Sequence, residues 1–325
     1  MQMINFGVLG AGKIAHRFCQ AMNGINENLH AIASRDIERA ARFVTNYGFV
    51  KAYGTYAELI SDPDIGCIYV ATPHGLHFEH VKMCLEAGKH VLCEKAFALN
   101  RGQAETLFRI ARAKGLFVME AMWTRFLPAI LEVKRLVDAG EIGDIIEIDA
   151  DFCFESGADS SDRLFDPALG GGALLDVGIY PLTLVNLFLG IPDNFDAEVT
   201  MGPTGVDVTE KITYFYPHAF AVMNASIVED RAKEAYIYGT KGYVHLPNFW
   251  STEVATVYNN NHKIVREIAV KHIVNGMEYE IFETIKCIRR KAVESALCPH
   301  ETTIEILRQT DELRKSWNFR YPGEE

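Results

Sequence analysis

Four short segments carry residues whose types and spacing could do chemistry. The first, Gly7-Val8-Leu9-Gly10-Ala11-Gly12-Lys13-Ile14-Ala15, contains the pattern GxGxxA. In such a loop Gly10 allows the tight turn, Gly12 lets the backbone approach a pyrophosphate, and Ala15 lets a helix pack closely on a strand. The anion would rest on the free N–H groups and positive dipole end of a helix opening at Lys13 and Ile14. The second segment, Ala33-Ser34-Arg35-Asp36, follows roughly twenty residues later, where a dinucleotide site meets the ribose 2′ position. An acid there would bind a 2′-hydroxyl and repel a phosphate. Ser34 and Arg35 offer a hydroxyl and a guanidinium suited to phosphate, while Asp36 reads as the cap of the next helix.

The third group is split between Thr72-Pro73-His74-Gly75-Leu76-His77 and Glu94-Lys95-Ala96, each directly after an apolar run. Ligands collect at such strand ends in an open α/β sheet. A lysine there is either a surface charge or, facing a bound nicotinamide, an acid or electrostatic catalyst. The fourth segment is Gly170-Gly171-Gly172-Ala173-Leu174-Leu175-Asp176-Val177-Gly178-Ile179-Tyr180. Three glycines lead into an apolar helix on which Asp176 and Tyr180, four apart, share a face. A carboxylate in so apolar a run is costly to bury alone. It either complements the helix N-terminus, with Tyr180 packed beside it, or it does chemistry.

The elements that must hold these residues change character near residue 120. Before it, the runs Ile4–Leu9, Leu29–Ala33, Cys67–Ala71, His90–Cys93 and Leu116–Met119 are short, apolar and bounded by turn residues, as buried parallel strands are. Helical stretches alternate with them, at Lys13–Met22, Asp36–Asn46, Leu76–Ala87 and Gln103–Lys114. This alternation predicts an α/β domain, a doubly wound parallel sheet over residues 1–121. After it, Ile145–Phe154 alternates apolar with acidic residues, as a half-exposed antiparallel strand does, and similar runs follow at 206–216, 219–228, 234–238, 242–246, 252–258 and 263–270. Helices at about 276–294 and 301–316 close the chain. Residues 122–325 thus read as an α+β domain with a large, mainly antiparallel open sheet and helices on one face. Its other face needs a cover, and a homodimer or higher homo-oligomer would supply one.

Bulk properties narrow the partners. The net charge of −11 argues against nucleic acid, which is bound by a basic face. No apolar run reaches the roughly 18 residues of a membrane span, and the start of the chain, Met1-Gln2-Met3-Ile4-Asn5, does not resemble a signal peptide. Seven cysteines without CxxC pairs fit a reducing, cytoplasmic setting rather than a disulfide or zinc framework. His74, His77 and His80 are spaced by three and rotate around a helix without a fourth ligand, so no metal is expected.

Taken together, the glycine loop, TPxxxH, Glu94-Lys95 and GGGxLxDxGxY resemble the Gfo/Idh/MocA oxidoreductase family, in order and spacing along the whole chain. Met119-Glu120-Ala121-Met122-Trp123-Thr124-Arg125-Phe126 and the tyrosine of Asp-x-Gly-x-Tyr are most similar to its dihydrodiol and NADP-dependent D-xylose dehydrogenase branch. The resemblance implies NADP, with NAD as the alternative, held by Gly10, Gly12, Lys13, Ile14, Ala15, Ser34, Arg35, Thr72, Pro73, His77, Glu94, Lys95, Trp123 and Arg125. It implies hydride transfer between nicotinamide and the carbinol carbon of a small polyhydroxylated or carbonyl substrate, such as a sugar, polyol or dihydrodiol. Lys95 and Tyr180 would handle the proton, and Asp176 would orient the substrate hydroxyl. A phenol titrates near 10 when free but ionises more readily beside an ammonium and a cationic nicotinamide. The family also contains dinucleotide-binding sensors that have lost catalysis, which need none of these three residues. Three positions depart from the usual pattern: Tyr180 stands where many relatives have His, His74 where Asn is usual, and Ala96 where Pro is usual. The last removes the residue that most readily accepts a cis peptide bond.

Overall fold

The computed structural model describes residues 3–324, arranged as two compact units. The first comprises residues up to Met122 together with His272–Leu307, and the second Trp123–Lys271 together with residues from Arg308 onward.

In the first unit six parallel strands form a sheet: β1 (Phe6–Leu9), β2 (Leu29–Ala33), β3 (Lys51–Tyr53), β4 (Cys67–Val70), β5 (His90–Glu94) and β6 (Val118–Ala121). Their order is β3-β2-β1-β4-β5-β6, so the winding reverses beside β1, where a crevice opens at the carboxyl ends. Helices α1 (Lys13–Gly24), α2 (Ile37–Tyr47), α3 (Tyr56–Ser61), α4 (His77–Glu86) and α5 (Arg101–Lys114) make the crossovers. The central strands are mostly apolar because both faces are covered; β1, β2 and β4 are wholly buried. The sequence shows no sign of β3, three half-buried residues at the sheet edge.

The second unit holds α6 (Pro128–Asp138), α7 (Ile179–Leu189) and an eight-stranded sheet ordered β14-β13-β12-β11-β7-β10-β9-β8. The strands are β7 (Ile145–Cys153), β8 (Asn194–Met201), β9 (Asp207–Phe215), β10 (Phe220–Ser226), β11 (Glu234–Gly239), β12 (Gly242–Pro247), β13 (Val254–Asn259) and β14 (Ile264–Ala269). All neighbours are antiparallel except β7 and β10. The reading of Ile145–Phe154 as antiparallel therefore holds toward β11 and is corrected toward β10. The long connection through α7 supplies the crossover that a parallel pair requires. Strand β8, absent from the sequence reading, is an edge strand whose exposed Asn194, Asp196 and Glu198 alternate with Phe195, Ala197, Val199 and Met201.

A second correction concerns Pro167–Leu189, which is long and apolar enough to cross a membrane by length and composition. In the fold 78% of its most apolar window is buried, as a helix hydrophobic all round is when it sits in a core.

The two units divide between Met122 and Trp123, and His272–Leu307 belongs to the first unit. Helix α8 (Glu278–Arg289) packs on α1, and α9 (His300–Ser316) starts in the first unit. Polar bonds to β6 fix this return. The Val118 N–H donates to the Val293 carbonyl at 3.2 Å, His300 Nε2 lies 2.9 Å from the Val118 carbonyl, and the Thr303 hydroxyl donates to Glu120 at 2.9 Å. At the start of α8, the buried Glu278 carboxylate accepts the N–H groups of Ile273, Val274, Asn275 and Gly276 at 2.8–3.1 Å. Burial alone would raise its pKa, but these backbone donors outweigh burial and hold it below the ordinary value. A carboxyl lowered in the folded state stabilises above its unfolded pKa and loses that contribution as pH falls through the folded value. Glu278→Ala should therefore cost about 2–3 kcal/mol at pH 7, with the deficit shrinking as the wild-type carboxyl protonates in acid. Urea unfolding at both pH values checks this; a deficit independent of pH would contradict it.

Candidate active site

The glycine loop leaves β1 and enters α1 as its spacing predicts. Gly10 has φ +105°, and a Cβ there would stand 2.9 Å from the Ala71 carbonyl oxygen, so only glycine fits. Gly12 is the N-cap of α1 and, having no side chain, does not itself cap the N–H groups of the first turn. Around this end lies a cavity of about 330 Å³ lined by the loop, Ser34, Arg35, Arg39, Tyr56, Thr72 and Pro73 among others. Asp36 also lines the cavity, but its carboxylate is engaged as the cap of α2, accepting from the N–H groups of Glu38 at 3.0 Å and Arg39 at 3.2 Å. The cavity wall at the end of β2 thus presents guanidinium and hydroxyl groups, with the nearby acid committed to its own helix. Lys13 lies in an adjoining hollow of about 380 Å³ with His16, Arg39 and Arg42. Open N–H groups, a glycine lining and cations at the second strand suit a dinucleotide with a phosphorylated ribose. Ile14 is half-buried and Ala15 is fully buried, where it lets α1 pack on the sheet.

The loop carrying Lys95 is fixed by its neighbours. His77 is completely buried, with Nδ1 2.8 Å from the Ala96 carbonyl and Nε2 2.7 Å from the Thr72 carbonyl. Burial outweighs these bonds and pulls the His77 pKa down to about 4, so the neutral ring donates to one carbonyl at a time. The Phe97 N–H donates to the buried Glu120 carboxylate at 3.0 Å, and the Leu99 N–H to Gln103 at 3.1 Å. The Lys95–Ala96 peptide is cis although no proline follows Lys95. Glu94 does not line the cavity. The Tyr69 hydroxyl donates to its carboxylate, and the Tyr69 ring stacks on Phe18 of α1 at 3.8 Å. Burial raises the Glu94 pKa to about 7 against the pull of Tyr69 and the Lys95 ammonium.

In the second unit the apolar helix opens as a wide π turn, Leu174–Gly178, before α7 begins. Such turns are rare and recur at functional sites. Asp176 is nearly buried and its Oδ1 is 3.3 Å from both terminal nitrogens of Arg163, whose side chain is half-exposed. Tyr180 joins an aromatic cluster: its ring lies 5.2 Å from Phe152 and 6.4 Å from Trp250, and Trp250 lies 5.4 Å from Trp123. The Thr124 hydroxyl donates to the Trp250 carbonyl at 2.9 Å, tying the turn that carries the buried Trp123 and Arg125 to this cluster.

The predicted residues therefore fall into two sets. In the first unit Gly10, Gly12, Ser34, Arg35, Thr72 and Pro73 share one cavity, and the loop carrying Lys95 meets the Thr72 loop at the imidazole of His77, which opens α4. In the second, Asp176, Tyr180, Trp123 and Arg125 lie on the π turn, α7 and the turn after β6. Sequence reasoning missed Arg39, Tyr56, Glu120, Arg163 and Trp250. Arg39 had a signal, as a second arginine in the first turn of the helix that follows Arg35; the others depend on distant contacts. A further group, His30, Asp62 and Asp64, has ligand atoms close enough for a metal ion. The Lys51 ammonium stands 3.0 and 3.1 Å from the two carboxylates, in the place a cation would take.

Residues 4–122 match the model of an oxidoreductase family with an NAD-binding Rossmann fold, GFO_IDH_MocA, and residues 130–245 match the GFO/IDH/MocA C-terminal domain. Among similar proteins is a trans-1,2-dihydrobenzene-1,2-diol dehydrogenase of Xenopus tropicalis, 33% identical over 98% of this chain and 99% of that one. A D-xylose 1-dehydrogenase (NADP(+)) of Hypocrea jecorina is 32% identical over 98% of this chain and 93% of its own. Among solved structures, KijD10, a 3-ketoreductase from Actinomadura kijaniata in complex with NADP and TDP-benzene, superposes with a TM-score of 0.87 at 27% identity, covering 97% of this chain and 98% of that one. Motif geometry, both domain matches and full-length relatives agree: the chain belongs to the Gfo/Idh/MocA family of oxidoreductases.

Proposed function

We propose that the chain is an NADP-preferring dehydrogenase or reductase acting on the carbinol carbon of a sugar, polyol or dihydrodiol. The observation that carries the cofactor choice is the cavity beside Gly10 and Gly12, walled by Ser34, Arg35 and Arg39 while Asp36 is occupied as a helix cap. The relatives named for NADP or solved with it support the same choice. When bound, NADP supplies a nicotinamide ring that exchanges a hydride with the substrate carbon. The residues of this chain do the rest. Tyr180 takes the alcohol proton in the oxidative direction, and Lys95 stabilises the charge on the alcohol oxygen as that proton leaves. Asp176 orients a substrate hydroxyl; its present partner, Arg163, lies on the segment before the glycine run. The aromatic side chains beside Tyr180 give a sugar or diol ring an apolar wall that excludes water.

Association through the second unit's sheet is part of the reading. Helices α6 and α7 pack on that sheet, while Tyr236, Tyr238, His245, Tyr243 and Tyr258 form a half-exposed aromatic ladder on β11, β12 and β13. A twofold homodimer would cover such a face. The seven buried cysteine thiols support a reducing, cytoplasmic setting.

Three measurements test these statements. Tyr180→Phe and Lys95→Met should each lower turnover by about 10²–10⁴-fold on whichever aldose, polyol or dihydrodiol is active, with NADPH affinity unchanged. Unaltered turnover in both variants would remove the catalytic assignment. Arg35→Ala should weaken NADPH binding by roughly 10–100-fold and leave NADH binding nearly intact, because only NADPH brings the phosphate. Equal weakening of both would contradict the 2′-phosphate role. Sedimentation velocity should give a dimer or larger for the wild type and a smaller species for Tyr238→Asp; a wild-type monomer at micromolar concentration would count against the interface.

A further inference from the structure

Two carboxyl groups that take no part in the reaction above lie beneath the segment carrying Asp176 and Tyr180. Asp207 opens β9 and Glu210 follows three residues later, at 0% and 1% exposure. Asp207 Oδ2 accepts the Leu174 N–H at 2.6 Å, at the head of the π turn. Its Oδ1 lies against Gly172, where a Cβ would stand 2.4 Å from that oxygen and where φ is +122°. At the other end, a Cβ on Gly178 would stand 2.5 Å from Glu210 Oε1. The last glycine of the triple run and the glycine between Asp176 and Tyr180 are thus the spaces into which two acids fit. The π turn Leu174–Gly178 is the stretch between those contacts. Outside it, the Tyr321 hydroxyl donates to the Gly171 carbonyl at 2.8 Å, and Arg314 lies over the Tyr321 ring at 4.8 Å.

Two such acids cannot both be ionised at low cost. Burial raises both, and the Asp207 charge raises Glu210 further. The Leu174 N–H and the Arg314 charge oppose the rise at Asp207, so of the two acids Glu210 holds its proton the more firmly. Apolar side chains of similar volume would fill this space more cheaply. They could not bond the Leu174 N–H or hold a proton between the two positions.

We propose that Asp207 and Glu210 are positioning residues, Asp207 pinning the head of the π turn and Glu210 bracing its tail, so that Asp176 and Tyr180 keep a fixed spacing. Their effect on turnover rests on the function proposed above; their effect on the turn does not.

The test compares Glu210→Gln, Glu210→Leu and Asp207→Asn in the full chain by hydrogen–deuterium exchange, steady-state kinetics and NADPH titration. The Gln amide is nearly isosteric with the protonated acid and, like it, has a hydrogen that it can offer to Asp207. Glu210→Gln should therefore keep wild-type exchange in residues 172–180 and a kcat within about twofold. Glu210→Leu and Asp207→Asn should exchange that segment at least about tenfold faster, with β7 and β10 unchanged. In these two, kcat should fall roughly 10–100-fold while NADPH affinity holds and KM moves less than about threefold, as expected when reacting groups are misplaced. Wild-type exchange in both damaging variants would overturn the proposal, and so would faster exchange throughout the unit or a Gln variant as impaired as the Leu variant. If the wild type turns over no alcohol in the panel, the proposed function fails, while exchange still decides the positioning role.

Discussion

At the carboxyl edge of the first sheet, two carbonyl oxygens from separate loops meet at one imidazole. His77 lies within 2.8 Å of both, one belonging to Thr72 after β4 and the other to Ala96 after β5. Because the ring is buried and neutral, breaking this junction would leave carbonyl groups without solvent to replace the bond. The junction makes one body of the loop that walls the cavity and the loop that carries Lys95. Glu120 and Gln103 extend it by holding the N–H groups of Phe97 and Leu99. The Lys95 main chain is therefore positioned by groups that are themselves packed, as precise catalytic geometry requires.

Buried carboxylates hold irregular backbone at three places in this chain. Glu278 gathers four N–H groups before α8, Glu120 holds the loop after β5, and Asp207 holds the head of the π turn. A buried carboxylate is expensive in an apolar interior unless donors surround it. Backbone N–H groups at loop ends supply those donors, and each acid in turn removes an orphan donor. These acids serve the backbone, in contrast to Arg35 and Lys95, which are held out of the core by turns and strand ends. Buried acids and accessible cations thus divide the labour of building a site for an anionic cofactor.

Much of this was legible because it depends on local pattern. Gly10, Gly12 and Ala15 stand between a buried strand and an amphipathic helix, and the motif fixes both turn and packing. Asp36 was readable as a cap, which left Ser34 and Arg35 as the groups at the strand tip. What the sequence could not show depends on contacts between distant residues. Nothing in Glu120 announces that it bonds Phe97, and nothing in Arg163 announces Asp176. The return of residues after His272 to the first unit follows from bonds at β6, whose partners lie about 180 positions away, as with Thr303 and Glu120. The parallel pairing of β7 with β10 was equally hidden, since a half-exposed strand alternates in the same way beside either kind of neighbour. A four-residue spacing suggested that Asp176 and Tyr180 share a face of a regular helix, whereas the backbone between them is a π turn shaped by acids from β9.

The most direct measurement of hydride transfer from a carbinol carbon follows a label. C1-deuterated aldoses and carbinol-deuterated polyols and dihydrodiols are incubated with NADP and the protein, and the reduced cofactor is examined by proton NMR. Deuterium should appear at C4 of the nicotinamide with the active substrate, and its transfer should slow greatly in Tyr180→Phe. Reduced cofactor carrying only hydrogen at C4, or no reduction with any of the three substrate classes, would contradict the proposed reaction.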